Sequence, residues 1–127
     1  MANGTVMQQL TLPDTRALES PRVLMESALT WIAENPDAWH WFVNAARLEA
    51  DTYERVSVKG LMEGLRRHRI PYATASVKLP NSYSAAFSRI LRAWHGHETI
   101  RGNVTLADCI PVSRSKLDGV SVAPRPY

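Results

Sequence analysis

Arginine carries the most concentrated chemistry in this sequence. Arg66, Arg67 and Arg69 form one cluster, Arg89 and Arg92 stand one helical turn apart, and Arg114 and Lys116 flank Ser115. A guanidinium is planar and presents its donors as a fork, so it matches phosphate oxygens or a guanine edge, where lysine acts as a point charge. Asn81, Ser82, Ser84 and Ser88 lie ahead of or between the second group of cations. That order suits a helix whose small first turns approach base edges while its later arginines hold phosphates. Lys78, just before this segment, extends the set of candidate nucleic-acid-binding residues.

The net charge of +3 conceals a division. From Met1 to Glu54 there are three basic residues against eight acidic ones; from Arg55 onward, twelve basic against four acidic, and nine of the twelve are arginine. A basic half of this kind supports phosphate binding and does not separate DNA from RNA. The competing explanation is that the two halves neutralise each other across the fold.

Other chemistries find little support. The chain has no dinucleotide fingerprint, phosphate-binding loop or zinc-protease motif. His95 and His97, with Glu98 and Cys109 nearby, match no four-ligand metal spacing and are expected to be an exposed pair of histidines. His40, between two tryptophans, fits a helix surface or core edge. The plentiful serines have no positive link to a nucleophilic triad. The expectation is a non-enzyme without catalytic residues, metal or cofactor. Cys109 is the lone cysteine, expected as a small buried hydrophobe.

The elements that must position these residues are mainly helical. Ser20 as N-cap and Pro21 in the first turn open a helix that Asn35-Pro36 ends. Pro36 and Asp37 open a second, to about Asp51, and three of the four tryptophans fall in this pair. Their expected role is the core of an antiparallel helix pair. Ser57 caps a third helix with Val58, Leu61, Met62 and Leu65 on one face, and Arg66 to Arg69 at its end suit the negative end of the dipole. Alternation from Tyr72 to Lys78 predicts a short strand or extended wing. Leu79-Pro80-Asn81-Ser82 then starts a fourth helix, to about His95, with Asn81 or Ser82 as cap. Its inner face is Tyr83, Ala86, Phe87, Ile90, Leu91 and Trp94; its outer face is Ser84, Ala85, Ser88, Arg89 and Arg92. Gly and Pro beyond His95 predict loops, with one strand around Asn103 to Leu106.

The expected architecture is a mainly α, four-helix domain over residues 20–120 with a short β or extended element, winged-helix-like. Residues 1–19 would be a flexible arm or edge strand, and 121–127 a disordered tail. A compact helix-turn-helix is disfavoured because Ile70 to Asn81 is too long a turn.

Three segments together resemble small uncharacterised proteins encoded by phages and prophages: Val58-Lys59-Gly60-Leu61-Met62-Glu63-Gly64-Leu65-Arg66, Leu79-Pro80-Asn81-Ser82-Tyr83-Ser84-Ala85-Ala86-Phe87-Ser88-Arg89, and Arg114-Ser115-Lys116-Leu117-Asp118. The similarity covers about residues 39–119. It implies a phage or mobile-element origin, where small DNA-binding regulators and host-interaction proteins are both common.

The start of the chain lacks a secretory pattern, and charges interrupt its most apolar stretch, so a cytoplasmic protein with no membrane partner is expected. The function expected is DNA binding by a regulator through a basic helical face. A module that binds a host protein through the tryptophan-rich front half is the alternative, and a homodimer would accommodate either.

Overall fold

Capping chemistry divides the chain into helices where the sequence places it. The computed structural model describes residues 20–67 and 79–127. Helix α1 runs Pro21–Glu34, and the Ser20 hydroxyl accepts from the Val23 N–H at 3.2 Å, satisfying one of the donors a helix start leaves orphaned. Asn35 closes α1: its side-chain amide donates to the Trp31 carbonyl at 2.9 Å. Pro36, which needs no N–H partner, begins α2, Pro36–Tyr53. Glu54 ends α2 at φ 57°, donating its N–H to Ala50. This left-handed stop turns the chain into α3, Val58–Arg67, where the Ser57 hydroxyl accepts from the Gly60 N–H at 3.1 Å.

A 3-10 turn, Asn81–Tyr83, leads into α4, Ser84–His95. Neither Asn81 nor Ser82 caps it through a side chain. The cap expected from the sequence is displaced by that turn, and the Tyr83 N–H bonds to the Pro80 carbonyl. Strands β1, Thr99–Arg101, and β2, Val104–Thr105, form an antiparallel hairpin around Gly102 at φ 50°. The sequence indicated β2; β1, three residues long, is too short for its alternation to mark a strand. A four-residue helix α5, Leu106–Cys109, follows with a reciprocal Thr105–Asp108 capping box. The fold is therefore mainly α, with a small β element, as expected. The arm at 1–19, the wing at 72–78, Arg69 and Lys78 lie outside the described residues.

The core sits where α1, α2 and α4 meet. Trp39 stacks on Phe42 with centroids 5.2 Å apart and meets Phe87 and Trp94 edge-on at 5.3 and 5.9 Å. Offset and edge-to-face packing of this kind adds about 0.5–1.5 kcal/mol per pair beyond area burial. The tryptophans of α1 and α2 thus serve mainly as core, with Trp31 and Trp39 buried and Trp41 half-buried. Helix α3 adds Val58, Leu61, Met62 and Leu65. Val56 N–H bonds to the Cys109 carbonyl at 2.8 Å, tying the α2–α3 link to α5. Cys109 is buried, and burial pushes its thiol up from the ordinary value.

Residues 121–127 are not the loose tail that their prolines suggest. The Trp94 indole donates to the Ala123 carbonyl at 2.7 Å, Arg125 donates to the Trp94 carbonyl, and the Tyr127 hydroxyl accepts from the Trp39 indole at 3.0 Å. Two core tryptophans present N–H groups that need partners, and the end of the chain supplies them.

Candidate nucleic-acid interface

The cations singled out by sequence have different fates. Arg66, in the last turn of α3, donates through Nε and Nη2 to the Leu79 carbonyl at 3.2 and 2.8 Å, and through Nη2 to Asn81 Oδ1 at 2.6 Å. It also pairs with Glu63. It thereby fastens the start of the 3-10 turn to α3, and Asn81 is its acceptor. Arg89 is similarly committed: Nη1 donates to the Ala85 carbonyl, Nη2 to the Ser113 carbonyl, both at 3.0 Å, and Nη2 pairs with Asp118. That pairing, with the Ser115 N–H, holds the Asp118 carboxyl below its usual range.

The outer face of α4 is only partly outer. Ser88 is 8% exposed and donates its hydroxyl to the Ser84 carbonyl at 3.0 Å, while Ser84, Ala85 and Arg89 are half-buried. Arg92 is exposed; the nearby Asp108 carboxyl is held below its usual range first by the Thr105 N–H and hydroxyl and only then by the charge of Arg92. Ser82, Arg67, Arg114 and Lys116 are also exposed.

The structure brings Ser84, Ser88, Arg89 and Arg114 together in a cleft of roughly 500 Å³ with two cations the sequence reading passed over, Arg55 and Lys59. Its walls are the opening turn of α3, the first half of α4 and the segment 111–115. No carboxylate lines it among the described residues. A second recess of roughly 380 Å³ shares Lys59 and Ser84 and continues toward Glu63, Arg66 and Asn81.

Among the described residues, Arg55, Lys59 and Arg114 have no ion-pair partner. The acids near them in sequence have other partners: Asp51 and Glu54 pair with Arg101, Glu63 with Arg66 and Asp118 with Arg89, while Glu49 accepts the N–H of Ser57, at the cleft's edge, at 2.9 Å. The two halves of the chain therefore neutralise each other only in part. Arg55 and Lys59 also stand at the positive end of the α3 dipole, where a cation costs about 0.3–1 kcal/mol at an exposed terminus. That mismatch between charge and helix end was the available signal for them in the sequence.

No family model, curated protein or solved structure matches the chain.

A second cluster has a different character. Arg47 grips Glu98 with Nε on Oε1 at 2.8 Å and Nη2 on Oε2 at 2.9 Å. Glu98 Oε2 lies 2.7 Å from His95 Nδ1, and His95 Nε2 lies 2.6 Å from the Tyr127 hydroxyl. With Glu98 ionised, Nδ1 donates to it and Nε2 accepts from the phenol. The guanidinium holds Glu98 down at about 2, and burial pushes His95 below 6.5. His95, expected to be exposed beside His97, is 3% exposed because the strap carrying Tyr127 covers it. No group of three or more His, Cys, Asp or Glu that could hold a metal occurs among the described residues, and none of their helices is long and apolar enough to cross a membrane. The phenol oxygen also accepts from Trp39, so the relay ends inside the fold and fastens the strap.

Proposed function

We propose that the chain binds nucleic acid through its phosphates, in the cleft between α3, α4 and residues 111–115, as a small DNA-binding regulator of phage or mobile-element type. The observation that carries this reading is the trio Arg55, Lys59 and Arg114, which share one cleft without a carboxylate in its lining. Like charges gathered without compensation repel one another, and an incoming polyanion relieves that repulsion while releasing its own counterions. The rest of the expected set divides by role. Arg89 lines the cleft, and Arg66 and Asn81 the recess beside it, while exposed Ser82, Arg67, Arg92 and Lys116 offer secondary contacts to a long ligand.

The protein-interaction reading has weaker support. Among the described residues Leu48 and Tyr53 are the most exposed large apolar ones, at 67% and 73%, and single exposed side chains of this kind are ordinary on a protein surface. A fluorescence titration against random-sequence duplex tests the proposal. Affinity should fall as salt rises, with a log–log slope of about −0.9 per phosphate neutralised. Absence of binding at low salt to duplex and single strand alike would remove the reading.

A further inference from the structure

We infer that the cleft accepts a single strand in preference to a duplex; the inference rests on the nucleic-acid reading above and specifies its ligand. A helix that reads duplex DNA must project its first turns into a major groove about 8.5 Å deep. Here the first turns of α4 do the opposite. Ser84 and Ala85 are half-buried and Ser88 is 8% exposed, recessed beside the opening turn of α3 and residues 111–115. A duplex groove finds no projecting helix to receive there, whereas one sugar–phosphate strand can lie along the recess.

The recess has the form of a track. Its roughly 500 Å³ main chamber and the roughly 380 Å³ recess beside it have Lys59 and Ser84 as common lining. A strand entering between Arg55 and Arg114 would pass Lys59 and continue between α3 and α4. Asp118 occupies Arg89 and Glu63 occupies Arg66, so Arg55, Lys59 and Arg114 are the cations left for phosphates. Two hydroxyls assist them: Ser57 Oγ accepts from the Gly60 N–H and Ser115 Oγ from the Leu117 N–H. Each keeps its own O–H to donate to an anion.

No aromatic side chain lines either chamber among the described residues. Base stacking, the usual sequence-tolerant supplement in single-strand binding, is thus missing from this track, and the phosphates carry the affinity. The strand is held without regard to its bases and with strong dependence on salt.

Fluorescence anisotropy with labelled DNA and RNA single strands of about 12 nucleotides, and a duplex of equal phosphate count, tests this. The single strands should bind roughly tenfold more tightly than the duplex, with a log–log salt slope of about −0.7 per contact. The DNA and RNA arms show which strand is the better ligand, and a preference for either supports the inference. Arg55→Ala, Lys59→Ala and Arg114→Ala should each weaken strand binding by roughly fivefold to tenfold through loss of one charged contact, with an unchanged unfolding midpoint. Arg22→Ala, at an exposed cation on α1 outside the cleft lining, should leave it unchanged. Duplex binding as tight as strand binding, with the three cleft variants still weakened, overturns strand selection and leaves the nucleic-acid reading standing. Failure to bind any of the three ligands overturns both. Loss of binding in Arg67→Ala or Arg92→Ala alone overturns the assignment of the cleft.

Discussion

The hydroxyl of Tyr127 lies 2.6 Å from Nε2 of His95, thirty-two positions earlier in the chain, and takes a second hydrogen bond from the Trp39 indole. One oxygen thus satisfies a buried imidazole and a core tryptophan. Tyr127→Phe keeps the ring and removes both bonds. The expected cost is about 1–3 kcal/mol, the range for leaving buried polar groups without partners. Urea denaturation measures it, and a loss under a few tenths would show that the strap does not fasten the core.

Stability should depend on pH through the same cluster. Buried His95 resists protonation in the fold, whereas in the unfolded chain it takes a proton near 6.5. Its contribution is complete above that value and declines as pH falls toward the lower folded value. Glu98 titrates at about 2 in the fold against 4.5 unfolded, so its contribution is present above 4.5 and is lost as pH falls toward 2. The unfolding midpoint, followed by circular dichroism, should drop in two stages below neutrality. Glu98→Gln should remove the more acidic stage.

Arg89 and Arg92 look equivalent in the sequence and should behave differently in the fold. Arg89→Ala strips the Ser113 carbonyl and the Asp118 carboxylate of their donor, at about 1–3 kcal/mol. The Arg92 side chain is exposed, and no side-chain hydrogen bond or salt bridge engages it among the described residues. Arg92→Ala should stay within about 0.5 kcal/mol. Equal effects on the denaturation midpoint would contradict the placement of Arg89.

Gly96 marks a close approach. A Cβ there would sit 2.3 Å from the Arg92 carbonyl oxygen and 3.0 Å from the Ala107 Cβ, where the Ala107 N–H already bonds to the Gly96 carbonyl at 3.0 Å. Gly96→Ala should destabilise by about 1–3 kcal/mol through overpacking. A thermal melt checks it.

The helices were legible because their signals are local. Ser20-Pro21, Asn35-Pro36 and Ser57 act through hydrogen bonds and dihedral limits within a few residues, and the structure begins helices at those places. Strand β1 is not legible in the sequence because Thr99, Ile100 and Arg101 pair only through the turn at Gly102. The contacts of the tail are hidden from the sequence for a related reason. Pro124 and Pro126 exclude regular structure, yet they do not stop Ala123 and Tyr127 from satisfying the indoles of Trp94 and Trp39.

The sequence by itself determined a mainly helical chain, its apolar faces and the uneven distribution of charge. Those follow from period, capping and composition, which need no knowledge of what lies across the fold. Only the tertiary structure decided which cations are free. Arg66 and Arg89 are spent on carbonyls and carboxylates brought to them by chain reversal, while Arg55, Lys59 and Arg114 meet in one cleft. A guanidinium has the same charge in either role, and its neighbours set whether that charge is available to a phosphate.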